Sequence, residues 1–97
     1  MTFKVRITGT GSYAPKRILT NDEICKGIDS SDEWIYQKLG IKERRIADVN
    51  ESTSDMAVIA AKRALENSTI GFGDLELIIV ATATPDRQAP STAAIVQ

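Results

Sequence analysis

Leu77-Ile78-Ile79-Val80-Ala81 is an unbroken apolar run with no polar residue interleaved. A strand with one wet face alternates. A continuous, largely β-branched run of this length suits a central strand covered on both faces, the situation of a strand inside an α/β layer. Thr84-Pro85-Asp86-Arg87 follows as a loop at its carboxyl end, where ligands gather in open α/β sheets. Upstream, Phe3, Val5 and Ile7 alternate with Lys4, Arg6 and Thr8, the period of a strand with one covered face. A helix is predicted over about residues 53–67, with Ala57, Ala60, Ala61 and Ala64 along one face. Side chains this small allow close approach to a neighbouring sheet or helix, although plain helix propensity accounts for them equally well. Gly71 and Gly73 mark the turn out of that helix, and residues 41–49 read as a short, charged extended segment. The alternation of strands and helices is that of an α/β fold.

Composition narrows the function. The 97 residues suffice for one small domain with a modest core. Twelve basic against 13 acidic side chains give a net charge of −1, so no basic field argues for a nucleic-acid partner. Hydrophobic content of 42% is ordinary for a soluble globular chain; no apolar run would span a bilayer, and the first residues do not read as a signal peptide. There is no His, so neither a Ser–His or Cys–His pair nor a His-ligated metal site can be assembled from this chain alone. A single Cys excludes an internal disulfide framework and fits a reducing cytoplasm. Cys25 has no His partner and no helix N-terminus to lower its pKa, and is expected to be a small buried apolar residue.

Gly9-Thr10-Gly11-Ser12-Tyr13-Ala14 matches a relaxed dinucleotide fingerprint after a strand, but Pro15 stands where the required helix would be running. The glycine pair is expected to permit tight backbone packing and a turn instead. Residues 90–97 read as a helix start without a C-terminal cap, from which we expect a fragment of a longer protein.

The most informative stretch runs from Ser30 to Arg45. Ser30 and Glu33 are spaced as a capping box, and Gly40 is placed to close the helix. Ser30, Trp34 and Lys38 then recur at i, i+4 and i+8, in one line along one face, with Ile35 and Leu39 as the neighbouring apolar stripe. A hydroxyl, a flat indole and an ammonium in a row match the edge, face and phosphate of a nucleotide. Spacing alone leaves open that Trp34 is a packing residue and Lys38 a solvated charge. Glu43, Arg44 and Arg45 read as a solvated face with no chemistry assigned. Ahead of this stretch, Thr20 and Glu23 form a second capping box for a short helix that Gly27 ends.

Asp-Ser-Ser-Asp-Glu-Trp-Ile and Leu-Gly-Ile-Lys-Glu-Arg-Arg within residues 29–45 resemble the N-terminal signature of the β-ketoacyl-acyl-carrier-protein synthase III family, the initiating condensing enzymes of the thiolase superfamily. Ile-Thr-Gly-Thr-Gly-Ser-Tyr-Ala-Pro near the start, Leu-Thr-Asn at 19–21 and Val-Ala-Thr-Ala-Thr-Pro at 80–85 extend the likeness over nearly the whole chain. The resemblance implies the first part of a thiolase-like αβαβα layered fold, with residues 1–97 the N-terminal portion of one condensing-enzyme domain. The parent enzyme would move an acyl group from coenzyme A onto a Cys, decarboxylate malonyl-acyl-carrier protein and join the two by Claisen condensation. Its Cys, His and Asn would all lie outside this chain, so no catalytic residue is assigned here and the chain alone is expected to be inactive.

Carried over by position, Trp34 would stack the adenine of coenzyme A, Ser30 would be the hydroxyl beside it, and Lys38 stands where the family usually has Arg. Lys keeps the charge but loses the bidentate fork. Ala89 would line the acyl-primer pocket. The resemblance further implies a cytoplasmic homodimer at full length. It would have acyl-coenzyme A as substrate and acyl carrier protein as partner, with no resident cofactor, metal, nucleic acid or membrane. A hydroxymethylglutaryl-coenzyme A synthase or a polyketide- or alkylquinolone-type starter enzyme would share much of the pattern. A non-catalytic module that binds coenzyme A or acyl carrier protein is the alternative from another class.

Overall fold

The computed structural model describes residues 2–97. Its elements are β1 (Arg17–Thr20), α1 (Asn21–Cys25), α2 (Asp32–Leu39), β2 (Glu43–Ile46), α3 (Thr53–Glu66), a 3₁₀ turn (Phe72–Asp74) and α4 (Thr92–Val96). The chain forms two compact units, one of residues up to Tyr13 together with Glu51–Gln97, the other Ala14–Asn50.

In the unit Ala14–Asn50, β1 and β2 pair antiparallel, with Arg17 opposite Ile46 and Thr20 opposite Glu43. The expected charged segment at 41–49 thus contains a real strand, and its partner β1 is an element that sequence reasoning missed. Thr20 ends β1 and caps α1 in one step, its hydroxyl oxygen accepting from Glu23 N–H at 3.3 Å. The return half of the expected box differs: the Glu23 carboxylate accepts from the Thr20 hydroxyl at 3.5 Å.

Asn21, only 1% exposed, joins the pieces. Its Nδ2 donates to Asp32 Oδ1 (2.8 Å) and to the Ile41 carbonyl (2.7 Å), and its Oδ1 accepts from Arg44 Nη1 at 2.9 Å. One amide thereby ties the starts of α1 and α2, the turn after α2, and β2. A buried amide is tolerated here because its polar atoms are partnered.

The cap of α2 is Ser31, not Ser30. The Ser31 hydroxyl accepts from Trp34 N–H at 3.2 Å in an extended backbone conformation. This places Glu33 in the second helical position, where it accepts from Gln37 one turn on (3.3 Å) rather than closing a box. Ser30 therefore precedes the helix, and the expected row of three is helical only from Trp34 to Lys38. Gly40 ends α2 as expected, at φ 70° with its N–H on the Tyr36 carbonyl at 2.8 Å. Of the apolar stripe, Ile35 is buried at 6% exposure while Leu39 is 61% exposed.

In the other unit, α3 begins with a complete capping box: the Ser52 hydroxyl takes Asp55 N–H, and the Asp55 carboxylate takes Ser52 N–H. Segment 9–13 lies directly on this helix. A Cβ at Gly9 would fall on the Ala64 carbonyl oxygen, and one at Gly11 on the Ala60 carbonyl oxygen and the Ala64 nitrogen. The glycines and the small face of α3 are thus two halves of one close backbone contact. Arg63 Nη1 donates to the Ser12 carbonyl (2.7 Å) and Asn67 Nδ2 to the Thr10 carbonyl (3.3 Å), and the Tyr13 hydroxyl bonds Glu51.

Two expected strands take no ladder among the described residues. Phe3, Val5 and Ile7 are 82%, 91% and 84% exposed, and residues 75–82 are irregular. Burial nevertheless alternates along the second run: Leu77 and Ile79 are exposed, while Ile78 and Val80 are half-covered. The period of two is that of extended backbone. A strand needs a partner edge as well as its own propensity, and no segment among the described residues supplies one to either run.

Candidate functional site

The unit Ala14–Asn50 carries an open groove of about 700 Å³, lined by Ile24, Ile28, Asp29, Ser30, Ser31, Trp34, Ile35, Leu39 and Arg44. Trp34 is 54% exposed, so within this chain its indole is a wall and not part of the packed interior. The cap explains its position: Ser31 holds the Trp34 amide in the first turn, and Ile35, the next residue, is buried. The ring is left on the groove wall, more than half exposed.

Ser30 lines the same groove, its backbone N–H held on the Ile28 carbonyl at 3.1 Å. Its hydroxyl oxygen is buried and has no hydrogen-bond partner. A buried hydroxyl left unpaired costs free energy.

Lys38 is exposed one turn beyond Trp34 and does not line the groove. The cation that does is Arg44, half-buried and fixed by its bond to Asn21. Arg44 is thus not the solvated charge expected from the sequence. Only the pairing of β2 with β1 turns it inward, and the sequence signal was its place in the period-two pattern Arg44–Ile46, both half-covered. The structure thus brings Ser30 and Trp34 together, adds Arg44, and leaves Lys38 outside.

Ala89 belongs to the other unit, in the exposed loop between residue 84 and α4. That loop is fastened at the first turn of α3. Ser54 N–H donates to Asp86 Oδ1 at 2.8 Å, the Ser54 hydroxyl donates to Asp86 Oδ2, and the Thr53 hydroxyl donates to the Thr84 carbonyl at 2.6 Å. The Ser54 hydroxyl and amide hold the Asp86 carboxyl below the usual carboxylate range, so it is ionised at neutral pH. Asp55 is lowered in the same direction by Ser52. Cys25 is half-buried in α1. Among the described residues no cluster of three His, Cys, Asp or Glu side chains would hold a metal ion, and no helix is long and apolar enough to cross a membrane.

No protein-family model matches the chain. Individual proteins do. It is 59% identical to the β-ketoacyl-[acyl-carrier-protein] synthase III of Caldanaerobacter subterraneus subsp. tengcongensis over 94% of this chain and 28% of that one. The crystal structure of 3-oxoacyl-[acyl-carrier-protein] synthase III from Aquifex aeolicus superposes with a TM-score of 0.87 at 51% identity, over 93% of this chain and 29% of that one. The priming β-ketosynthase of the R1128 polyketide pathway superposes with a TM-score of 0.87 at 38% identity, over 94% and 27%. Over the part it spans, the chain is similar to the β-ketoacyl-[acyl-carrier-protein] synthase III proteins and has the α/β architecture of the corresponding part of a thiolase-like fold. It spans about 28% of the length of the relatives it matches.

Proposed function

We propose that this chain forms part of the coenzyme A entrance of an initiating condensing enzyme. That enzyme joins an acyl-coenzyme A primer to malonyl-acyl-carrier protein in fatty-acid synthesis. The carrying observation is the half-exposed Trp34 on the wall of the groove, with the unpartnered Ser30 hydroxyl beside it. The indole stacks the adenine, Ser30 bonds a ring edge, and Lys38, exposed one turn further along α2, meets a phosphate outside the groove. Ala89 lines the acyl pocket, where a small side chain leaves room for longer primers. Residues 1–97 are one portion of a larger condensing-enzyme domain. The nucleophilic Cys and its His and Asn partners are supplied from outside these residues, and the chain by itself performs no condensation. The complete enzyme works as a cytoplasmic homodimer without a resident cofactor or metal.

The likeness to a priming ketosynthase of a polyketide pathway supports a second reading, in which the same entrance serves a polyketide starter reaction. The two share the coenzyme A site and differ in what accepts the primer.

Contacts at the nucleotide end of coenzyme A lie far from the reacting thioester, so they act on substrate and transition state alike and show in KM rather than kcat. The test is a chimera: the Aquifex aeolicus synthase III with its matching segment exchanged for this chain. There Trp34→Ala should weaken acyl-coenzyme A binding by about 1–3 kcal/mol, the range for a base stacked on an aromatic ring, with little change in Tm. A sharp fall in Tm with affinity intact on the surviving folded protein would make Trp34 a packing residue and end the binding-site reading.

A further inference from the structure

Helix α3 is capped twice. Ser52 and Asp55 already form a complete box within the helix itself. Asp86, from a loop 31 residues beyond Asp55, adds a second set of bonds to the same turn through Ser54. Ser54 is 5% exposed, and Asp86 is the only partly covered residue in the run 81–91, whose other members are all exposed. The helix does not need this second cap, so its consequence lies in the loop. Five residues on, Ser91 caps α4 by accepting Ala94 N–H at 3.3 Å, and Thr92 is buried. Four residues, Arg87 to Pro90, are thus slung between two fixed points, and Ala89 is one of them. Freed at Asp86, the unheld span would run from Pro85 to Pro90, six residues, behind the remaining peg at Thr84. A longer unheld span has more conformations and a less defined pocket wall.

We propose that Ser54 and Asp86 are positioning residues for primer selection: they fix the span that carries Ala89 and so set the room left for the acyl chain. The proposal rests on the reading of Ala89 as a pocket residue. It adds two residues that would not touch substrate, and they act through the loop rather than through the stability of α3.

The experiment uses the same chimera and compares kcat/KM for longer or branched acyl-coenzyme A primers with that for acetyl-coenzyme A. Ser54→Ala and Asp86→Ala should each shift this ratio by about three- to tenfold, less than a well-formed pocket gains from discriminating one methylene. Asp86→Asn keeps an acceptor for the Ser54 amide and should hold the ratio near that of the parent. Asp55→Ala is the control. It breaks the internal box, whose Ser52 hydroxyl also bonds Ser54, but leaves the Ser54–Asp86 bonds themselves in place, and should lower Tm while leaving the ratio alone. If Ser54→Ala and Asp86→Ala lower Tm as Asp55→Ala does and leave the ratio unchanged, the residues are merely structural and the proposal falls. Ala89→Phe separates the two levels. A ratio that responds to Ala89→Phe but not to the Ser54 and Asp86 variants overturns the positioning role and leaves the pocket reading standing. A ratio indifferent to Ala89→Phe overturns the pocket reading, and this proposal with it.

Discussion

The two compact units are held together by different physics. In Ala14–Asn50 the cohesion is polar and concentrated: one buried amide, Asn21, gathers α1, α2, the turn at Ile41 and β2 through three side-chain hydrogen bonds. Among the described residues Ile35 and Pro15 are the only buried apolar side chains. In the other unit, cohesion is spread along a line, with Gly9 and Gly11 set against the backbone of α3 and polar side chains fastening the edges. That unit also leaves apolar side chains uncovered, Phe3, Val5 and Ile7 in one row and Leu77 and Ile79 in another. The contrast teaches where a single substitution is felt. A hub fails at one residue, a seam fails at a contact too close for any side chain, and an uncovered row has little to lose.

Breaking the hub gives the largest expected effect. Asn21→Ala removes a donor pair and an acceptor at a position 1% exposed. It leaves the Ile41 carbonyl and the Arg44 guanidinium without their partner. Unsatisfied groups of this kind cost about 1–3 kcal/mol each when buried, so a loss of about 3 kcal/mol is expected in equilibrium denaturation. The Arg44 guanidinium, released, should also lose its fixed place in the groove. A loss below about 1 kcal/mol, the scale of one ordinary exposed hydrogen bond, would mean that the hub is not what holds this unit.

The hub also marks the limit of what the sequence disclosed. The end of α2 at Gly40 and the span of α3 were legible because caps and helical periodicity are local signals. The tight-packing role of Gly9 and Gly11 was legible by elimination, since Pro15 ruled out a nucleotide loop. Asn21 was not, because its partners stand 11, 20 and 23 residues away and nothing local distinguishes it from another first-turn Asn. The choice of Ser31 over Ser30 was hidden for the same reason: both are competent caps, and Asp32, held by Asn21, fixes which of them the helix starts from. In the candidate groove, Trp34 and Ser30 are the two lining residues that a short stretch of sequence singles out. Arg44 is not singled out in this way, because its inward turn depends on a strand pairing that composition does not announce. The apolar run at 77–81 was read for its character, but a ladder also requires a partner.

The seam is tested at Gly11. A Cβ there would meet backbone atoms of Ala60 and Ala64, which cannot swing aside as a side chain tip can. Gly11→Ala should therefore cost about 2 kcal/mol, in the range of overpacking at a tight contact. Gly73→Ala serves as the internal comparison, since a Cβ there meets nothing within 4 Å. It should change stability by less than about 0.5 kcal/mol. Equal effects at the two glycines would show that backbone closeness along α3 is not what stabilises this unit.

The uncovered row should give the smallest effect on stability and the clearest on association. Ile79 is 80% exposed and Leu77 75%, so there is almost no transfer free energy for either to lose. Ile79→Lys should therefore shift the unfolding midpoint by no more than an ordinary surface change, within about 0.5 kcal/mol. Val80→Lys, on the half-covered side of the same run, should cost more. An extended apolar row with no ladder of its own is also a template for pairing between molecules. The parent chain should accordingly self-associate as its concentration rises in sedimentation velocity, and Ile79→Lys should suppress this by placing a charge in the pairing row. A parent chain that stays monomeric throughout would show the row to be inert. Association that persists unchanged in Ile79→Lys would move the contact to another surface, the row at Phe3, Val5 and Ile7 being the next to substitute.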